Sequence, residues 1–300
     1  MSYYYQWEQR SHAQEWLLFP RDMGSPLSID ENSISDGELY EIITNKAAKA
    51  KGRKGAIVAI IGGTVSEQVI EVLERMPEEL LNQVEEVTLD MADSMRKIVR
   101  RCFPKSIRVI DRFHVQKLTH DSLQEMRIAH RWDAINRETQ AKEESKLLGE
   151  KYTPELLENG DSHKQLLARS RYLLFKSSDK WTPKQKQRAK LLFELYPDIK
   201  KGYSLTHSLR MIFSKNTIKD AAPLSLARWY NQVNEADFKS FNTIAATVYE
   251  HYEELLNFFI NRSTNASAES FNAKIKAFRA SLRGVTDIKF FFFRLSNIYA

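Results

Sequence analysis

The sequence predicts an α/β protein: a mixed five-stranded sheet with helices, interrupted by a large all-α stretch before the final helices. Three observations predict it. Residues 26–61 carry three apolar runs separated by turn residues, without a helical period. Residues 66–110 alternate helical spacing with short apolar strands, the pattern of an α/β sheet. Residues 115–260 contain hardly any strand signal and are long, charged and helical.

The elements follow in order. Residues 3–18, with Tyr4, Trp7, Trp16, Leu17 and Leu18 among charges, read as a short helix or arm that docks on something larger. Pro26 to Glu31 reads as a first strand ending in acids, and Asp36-Gly37 is a hairpin turn signal. Glu38 to Thr44 alternates as a second strand, and Lys46 to Lys54 reads as a basic loop. Ala56 to Ile61, a continuous apolar run before Gly62-Gly63, reads as a buried third strand. Ser66 to Met76 has helical spacing with Ser66 as cap. Val84 to Leu89 is a fourth strand ending at Asp90, Met91 to Phe103 a helix stopped by Pro104, and Ile107 to Ile110 a fifth strand running into Asp111-Arg-Phe-His114. Breaks in the helical stretch are expected at Gly149, Pro154, Gly160, Pro183, Pro197, Gly202 and Pro223. The expected division is an arm (1–23), a core in two parts (24–149 and 263–300), and an all-helical insertion between them (150–262).

Asn265 to Arg283 forms one amphipathic helix. Ala268, Phe271, Ile275, Phe278 and Leu282 are spaced 3, 4, 3, 4 along one face,. A neighbouring face carries Asn265, Glu269, Asn272, Lys276, Arg279 and Arg283, with one carboxylate at the head of a basic stripe. Such a face suits either plain solvation or a site that holds a metal ion and a phosphate chain together.

Composition narrows the partners. With 42% hydrophobic residues among 300, the chain can bury a core, and its net charge of +6 favours a polyanion,. Lys164 to Lys219 holds fourteen Lys or Arg against Asp179, Glu194 and Asp198, with aromatic residues interleaved. That stretch, Lys184, Lys186, Arg188 and Lys190 included, reads either as a helical bundle with a wet basic surface or as one gripping nucleic-acid backbone. Cys102 is the sole cysteine, which excludes a disulfide framework and fits a reducing, cytoplasmic setting,. No apolar run approaches a membrane span, and the opening residues do not read as a signal peptide.

Three acids stand out by position: Asp30 and Asp90 at strand ends, and Glu269 on the late helix. Functional residues of open α/β sheets gather at strand ends. Carboxylates side by side repel unless a cation joins them. Mg²⁺ prefers carboxylate oxygens, and a pair of such ions can drive phosphodiester displacement.

The strand order resembles a ribonuclease-H-like fold, and the acids resemble the DDE triad of transposases. Ser28-Ile-Asp30-Glu31, Val87-Thr-Leu-Asp90-Met91, Val109-Ile-Asp111-Arg-Phe-His114-Val115 and Thr264-Asn265…Glu269…Asn272…Ile275-Lys276 resemble the bacterial insertion-sequence transposases of the ISL-three group, related to the Mutator group. The resemblance covers roughly residues 24–300. It implies that Asp30, Asp90 and Glu269 are catalytic and hold two Mg²⁺ (or Mn²⁺) ions. It implies cleavage at the ends of a mobile element and strand transfer into target DNA. It also implies a helical insertion before the Glu helix, an accessory Asp111…His114 element, and DNA contacts from Asn265, Asn272, Lys276, Arg279 and Arg283. Ser270 and Ala266 stand where the family commonly has Gly. The remaining readings are a structure-specific nuclease on the same fold and a DNA-binding descendant without catalysis. Asp111 and His114 read equally as a structural pair. His120, His130 and His207 read as surface or core residues, and Trp229 as core or as a base-stacking aromatic. The expected partners are transposon-end and target duplex DNA, further copies of the chain on DNA, and a separate end-recognition protein, with no membrane. Longer relatives carry a zinc-binding and helix-turn-helix region ahead of the catalytic core, so the expectation is either such a separate protein or a shortened copy.

Overall fold

The computed structural model describes residues 2–35, 37–50, 54–214, 218–264, 266–282 and 286–300, with the side chains of 2, 35, 49, 50 and 266–270 also outside the description. The chain divides into two compact units: Met1–His114 with His251–Ala300, and Val115–Glu250.

The first unit begins with α1 (Ser2–Tyr5), then β1 (Trp16–Leu18), β2 (Pro26–Ser35), β3 (Glu38–Asn45), α2 (Lys46–Ala50) and β4 (Ile57–Gly62). Next come α3 (Ser66–Leu73), α4 (Glu78–Asn82), β5 (Glu86–Leu89), α5 (Asp93–Cys102) and β6 (Ile107–Ile110). The sheet has six strands in the order β1-β4-β3-β2-β5-β6. Strands β5 and β6 join β2 in parallel, and the remaining pairings are antiparallel.

Two expectations are corrected here. The sheet has six strands, not five, because Trp16–Leu18 pairs with β4, setting Leu17 opposite Ile60. Three residues carry no period of their own. The strand exists because buried β4 would otherwise leave an unpaired edge. Half of the expected basic loop is helix α2, whose Ala47 and Ala48 amides donate to the Asn45 side chain at 3.0 and 3.2 Å, a side-chain cap.

Alternation decides which residues the sheet buries. Leu17, Tyr40, Ile42 and Ile60 meet Phe271 and Ile275 and also Phe291, Phe292 and Leu295 in one core. Those partners come from α14 (Ala266–Ser281) and α15 (Ile288–Tyr299), which follow α13 (Tyr252–Asn261). The side chain of Tyr4 on α1 donates to Asp287 Oδ2 at 2.7 Å, docking the arm beside α15. Helix α13 lies against β6, and Asn257 Nδ2 donates to the Arg108 carbonyl at 3.0 Å.

Among its described residues, the regular elements of the second unit are all helices. It takes most of α6 (Arg112–Leu147), then α7 (His163–Arg169), α8 (Arg171–Leu174), α9 (Pro183–Leu195), α10 (Pro197–Ser214), α11 (Ala222–Ala236) and α12 (Lys239–Glu250). Thr182 and Gln185 form a capping box that starts α9, with Pro183 in the first turn,. Gly202 does not break the chain, contrary to expectation. It sits inside α10, where a Cβ would meet Met126 Sδ at 3.1 Å and Leu123 Cδ1 at 3.2 Å. The glycine lets α10 approach α6 closely. Among the described residues, no helix is long and apolar enough to cross a membrane.

Candidate active site

Strand register sets the acids. In the parallel pairing of β2 and β5, Ser28 lies opposite Thr88. Carried two residues on, that register brings Asp30 level with Asp90. In β5 and β6, Leu89 lies opposite Ile110. The next residues are Asp90 and Asp111, and the Asp111 amide continues the ladder to the Leu89 carbonyl at 2.9 Å. Asp30, Asp90 and Asp111 thus form a row beside the carboxyl ends of adjacent parallel strands, where α/β sheets place their ligands. Asp30 does not end its strand, as the sequence suggested. Strand β2 runs on to Ser35 because the hairpin with β3 extends it past the end of β5.

Each aspartate is held differently. Asp30 is half-buried, and its Oδ2 accepts a hydrogen bond from Asn272 Nδ2 at 2.6 Å. Asp90 Oδ1 accepts from the Ala92 amide at 2.7 Å, closing a turn that leads into α5,. Asp111 is 1% exposed. Its Oδ1 accepts from the Phe113 amide at 3.2 Å, capping α6, whose amino end favours a negative charge,. Asp111 Oδ2 is buried without a hydrogen-bond partner among the described residues. His114 donates its backbone amide to the Asp111 carbonyl at 3.1 Å. Among the described residues, no ring hydrogen bond joins His114 to the Asp111 carboxylate.

Helix α14 reaches this row through its apolar stripe. Phe271 and Ile275 are buried, and Phe278 and Leu282 are partly so. That anchoring turns Asn272 onto Asp30. Glu269 lies on the same helix three residues earlier, a spacing that shares a face with Asn272,. The Glu269 side chain, Asn265 and Arg283 fall outside the described residues. Lys276 is exposed. The Arg279 guanidinium lies over the Phe291 ring at 5.2 Å, so part of this cation covers the core,.

Sequence reasoning missed Glu41. It lies on β3 opposite Glu31 of β2. It is 1% exposed, and among the described residues neither carboxylate oxygen has a hydrogen-bond partner. Burial first, then the charges of Glu31, Asp90 and Asp30, push its carboxyl up to about 8. The signal was a lone acid inside Leu39-Tyr40-Glu41-Ile42-Ile43. At the other end of β5, Glu86 is the opposite case. Burial alone would raise it, but hydrogen bonds from Ser263 and Asn261 and the Lys46 ammonium hold it below its ordinary value. Lys46 Nζ stands 3.0 Å from Glu86 Oε1, and Asn261 Nδ2 stands 3.1 Å from Oε2.

Among the described residues, no three His, Cys, Asp or Glu side chains stand close enough to hold a metal ion. The Glu269 carboxylate is not among them. The donors present nevertheless fit a hard divalent cation. They are carboxylate oxygens, and among the described residues Asp111 Oδ2 is buried without a hydrogen-bond partner,.

In the helical unit, Lys184, Lys186 and Lys190 are exposed on α9. Arg188 is half-buried, with its Nε 3.3 Å from Asp161 Oδ2, and Asp161 is itself 1% exposed. Trp229 is 1% exposed and donates its indole N–H to the Leu205 carbonyl at 3.0 Å, so it is core and presents no face for a base. Burial, with His207 and Arg210 close by, pushes His120 down to about 4. Burial likewise lowers His207. His130 bonds Asp198 at 2.5 Å.

A mixed sheet with aspartates level with the carboxyl ends of its parallel strands has them where open α/β sheets bind their ligands. The sequence matches the transposase family of the ISL-three (ISL3) group over residues 27–295, and the chain belongs to that family. No curated protein and no solved structure matches the chain.

Proposed function

We propose that the chain is a DDE transposase with a ribonuclease-H-like core that cuts DNA at the ends of a mobile element and joins the freed 3′-OH to target DNA. Asp30, Asp90 and Glu269 would hold two Mg²⁺ or Mn²⁺ ions. The observation that carries this reading is the Asn272–Asp30 hydrogen bond, which docks the Glu269 helix beside the aspartate row. Bound ions would supply polarisation of the scissile phosphate and stabilisation of attacking and leaving oxygens. The protein's own residues do the rest by placement. Asn272 fixes the carboxylate of Asp30. The turn at Ala92 fixes Asp90. Asp111 ties the end of β6 to the start of α6, and His114 follows it as an accessory group near the phosphate.

The helical unit, which overlaps the proposed insertion of residues 150–262, supplies grip. Lys184, Lys186 and Lys190 would neutralise phosphates without reading bases, as Lys276 would on α14. Joining two element ends calls for at least two active sites, so the working form on DNA is an oligomer of this chain. The expected setting is the bacterial cytoplasm, on nucleoid DNA.

The test is incubation of the purified chain with element-end duplex, target plasmid and Mg²⁺ or Mn²⁺. Joined product supports the proposal. Nicking without joining would point to a structure-specific nuclease, and cation-independent binding alone to a non-catalytic DNA-binding protein.

A further inference from the structure

Helix α6 presents large apolar side chains to solvent. It spans 36 residues, about 54 Å at 1.5 Å per residue,. Beyond Ala134 none of its residues is fully buried. Ile128 is 42% and Trp132 58% exposed, and Ile135 is half-buried. Of the five tryptophans, Trp132 alone is exposed. These three residues share one face, at spacings of four and three. The same spacing continues both ways into charge. Toward the amino end the next positions are Glu125 and Asp121, both exposed. Toward the carboxyl end, after Thr139, they are Lys142 and Lys146, also exposed. The whole run, spaced 4, 3, 4, 3, 4, 3, 4, lies within the second unit. That period is the seam of a two-helix coiled coil. Here the seam is acidic at one end, apolar in the middle and basic at the other.

We propose that this face binds the same face of a second copy of the chain, with the two α6 helices antiparallel. A two-fold axis between Trp132 and Ile135 sets Trp132 against the partner's Ile135, and Ile128 against the partner's Thr139. The same axis sets Glu125 against the partner's Lys142 and Asp121 against the partner's Lys146. By symmetry each of these pairings occurs twice. A parallel pair would set each acid against its own copy and each lysine against its own, so charge selects the antiparallel arrangement. Lys142 already bonds Glu138 in its own helix at 2.6 Å. Exposed ion pairs of this kind contribute little, so the charged ends set direction and the apolar centre supplies affinity. A single helix pair is at the small end of specific interfaces, and the dissociation constant should be on the order of 1–100 µM. The contact belongs to the free chain and does not depend on the reading of the active site.

The test is sedimentation velocity of the full chain, freed of nucleic acid, over concentrations that bracket this range. The parent is compared with Trp132→Lys, with the acid reversal Asp121→Lys/Glu125→Lys, with the lysine reversal Lys142→Glu/Lys146→Glu, and with all four reversals together. The reversed side chains are exposed, so these variants should melt as the parent does. The expected result is a reversible dimer of the parent, weakened about 10-fold or more in Trp132→Lys. Each double reversal alone should stay monomeric where the parent dimerises. The two mixed should form a heterodimer, and the fourfold variant should dimerise like the parent. A parent that is monomeric throughout would overturn the proposal. So would a dimer that Trp132→Lys and both double reversals leave unchanged, since it would form through another surface. Failure of either rescue, in the mixture or in the fourfold variant, would overturn the antiparallel pairing. Should Trp132→Lys melt below the parent, the reversals and their mixture decide the matter without it.

Discussion

Asn272 and Asp30 stand 242 residues apart in the chain and 2.6 Å apart in the fold. The bond joins the last sheet-covering helices to the second strand of the sheet, at the level of the aspartate row. A hydrogen bond to an ionised carboxylate contributes roughly 1.5–3 kcal/mol. Replacing Asn272 with Ala should therefore lower the stability of the first unit by about that much and slow strand cleavage. Asn272→Asp should do more, since it sets a second carboxylate against Asp30. Hydrogen exchange over residues 271–281 checks the first point: unchanged protection in Asn272→Asp would mean that the bond does not dock α14.

Asp90→Asn keeps the shape of the turn at Ala92 and removes one negative charge from the row. Cleavage of an element-end duplex should fall by at least about 1,000-fold, which is roughly 4 kcal/mol of barrier. Duplex affinity should stay equal or rise, because a charge that repels phosphate is gone. Cleavage rates and filter binding, measured on one preparation, check both halves.

Stability should depend on pH through Glu41. In the folded chain its carboxyl keeps a proton up to about pH 8, whereas the ordinary value is 4.5. Between these limits the folded state binds more protons than the unfolded one, so stability falls as pH rises. The loss is fully developed above the folded value and absent below the unfolded one. Its upper limit is on the order of 5 kcal/mol. Urea midpoints in chelator at pH 5 and 8.5 should converge for Glu41→Gln relative to the parent. An equal drop in both would assign the pH dependence elsewhere.

Charge reversal on α9 separates grip from structure. Lys184, Lys186 and Lys190 are exposed, and their change to Glu should weaken duplex binding at every sequence alike. The slope of log affinity against log salt should shrink by up to about 3, near 0.9 for each phosphate that a lysine no longer neutralises. Melting should hardly move.

Arg188, on the same helix, should behave otherwise. Its partner Asp161 is buried and is also held by Arg169. Arg188→Ala leaves that buried carboxylate short of one cation, and it should lower the melting temperature more than the triple lysine reversal does. Differential scanning fluorimetry on the two variants gives the order.

What was legible in the sequence depended on the range of the interaction. Strands β2 to β6 and helices α3 and α5 announce themselves through apolar period and Pro104, because burial acts residue by residue. Trp16–Leu18 did not, since three residues become a strand only when β4 is alongside. Gly202 looked like a break because a glycine's local preference is to end helices, whereas here a close helix approach selects it. The aspartates were legible as strand-end acids, but Asp30 was placed at the end of a strand that continues to Ser35. Glu41 was hidden for the converse reason. Its local pattern is a plain strand, and only the ladder with β2 shows that its neighbours are acids. The bond from Asn272 to Asp30 joins segments with nothing between them in sequence to signal it.

The first unit is assembled from both ends of the chain, with residues 115–250 emerging in between. A ribosome releases the strands and the aspartates early and the covering helices last. Until Phe271, Ile275 and Phe291 have been made, one face of the sheet stays bare and Asp30 lacks its amide partner. A growing or prematurely terminated polypeptide therefore holds the acids without the assembled site. If the proposed function holds, synthesis itself would act as a safety catch: a fragment lacking α14 and α15 should fail to cut DNA.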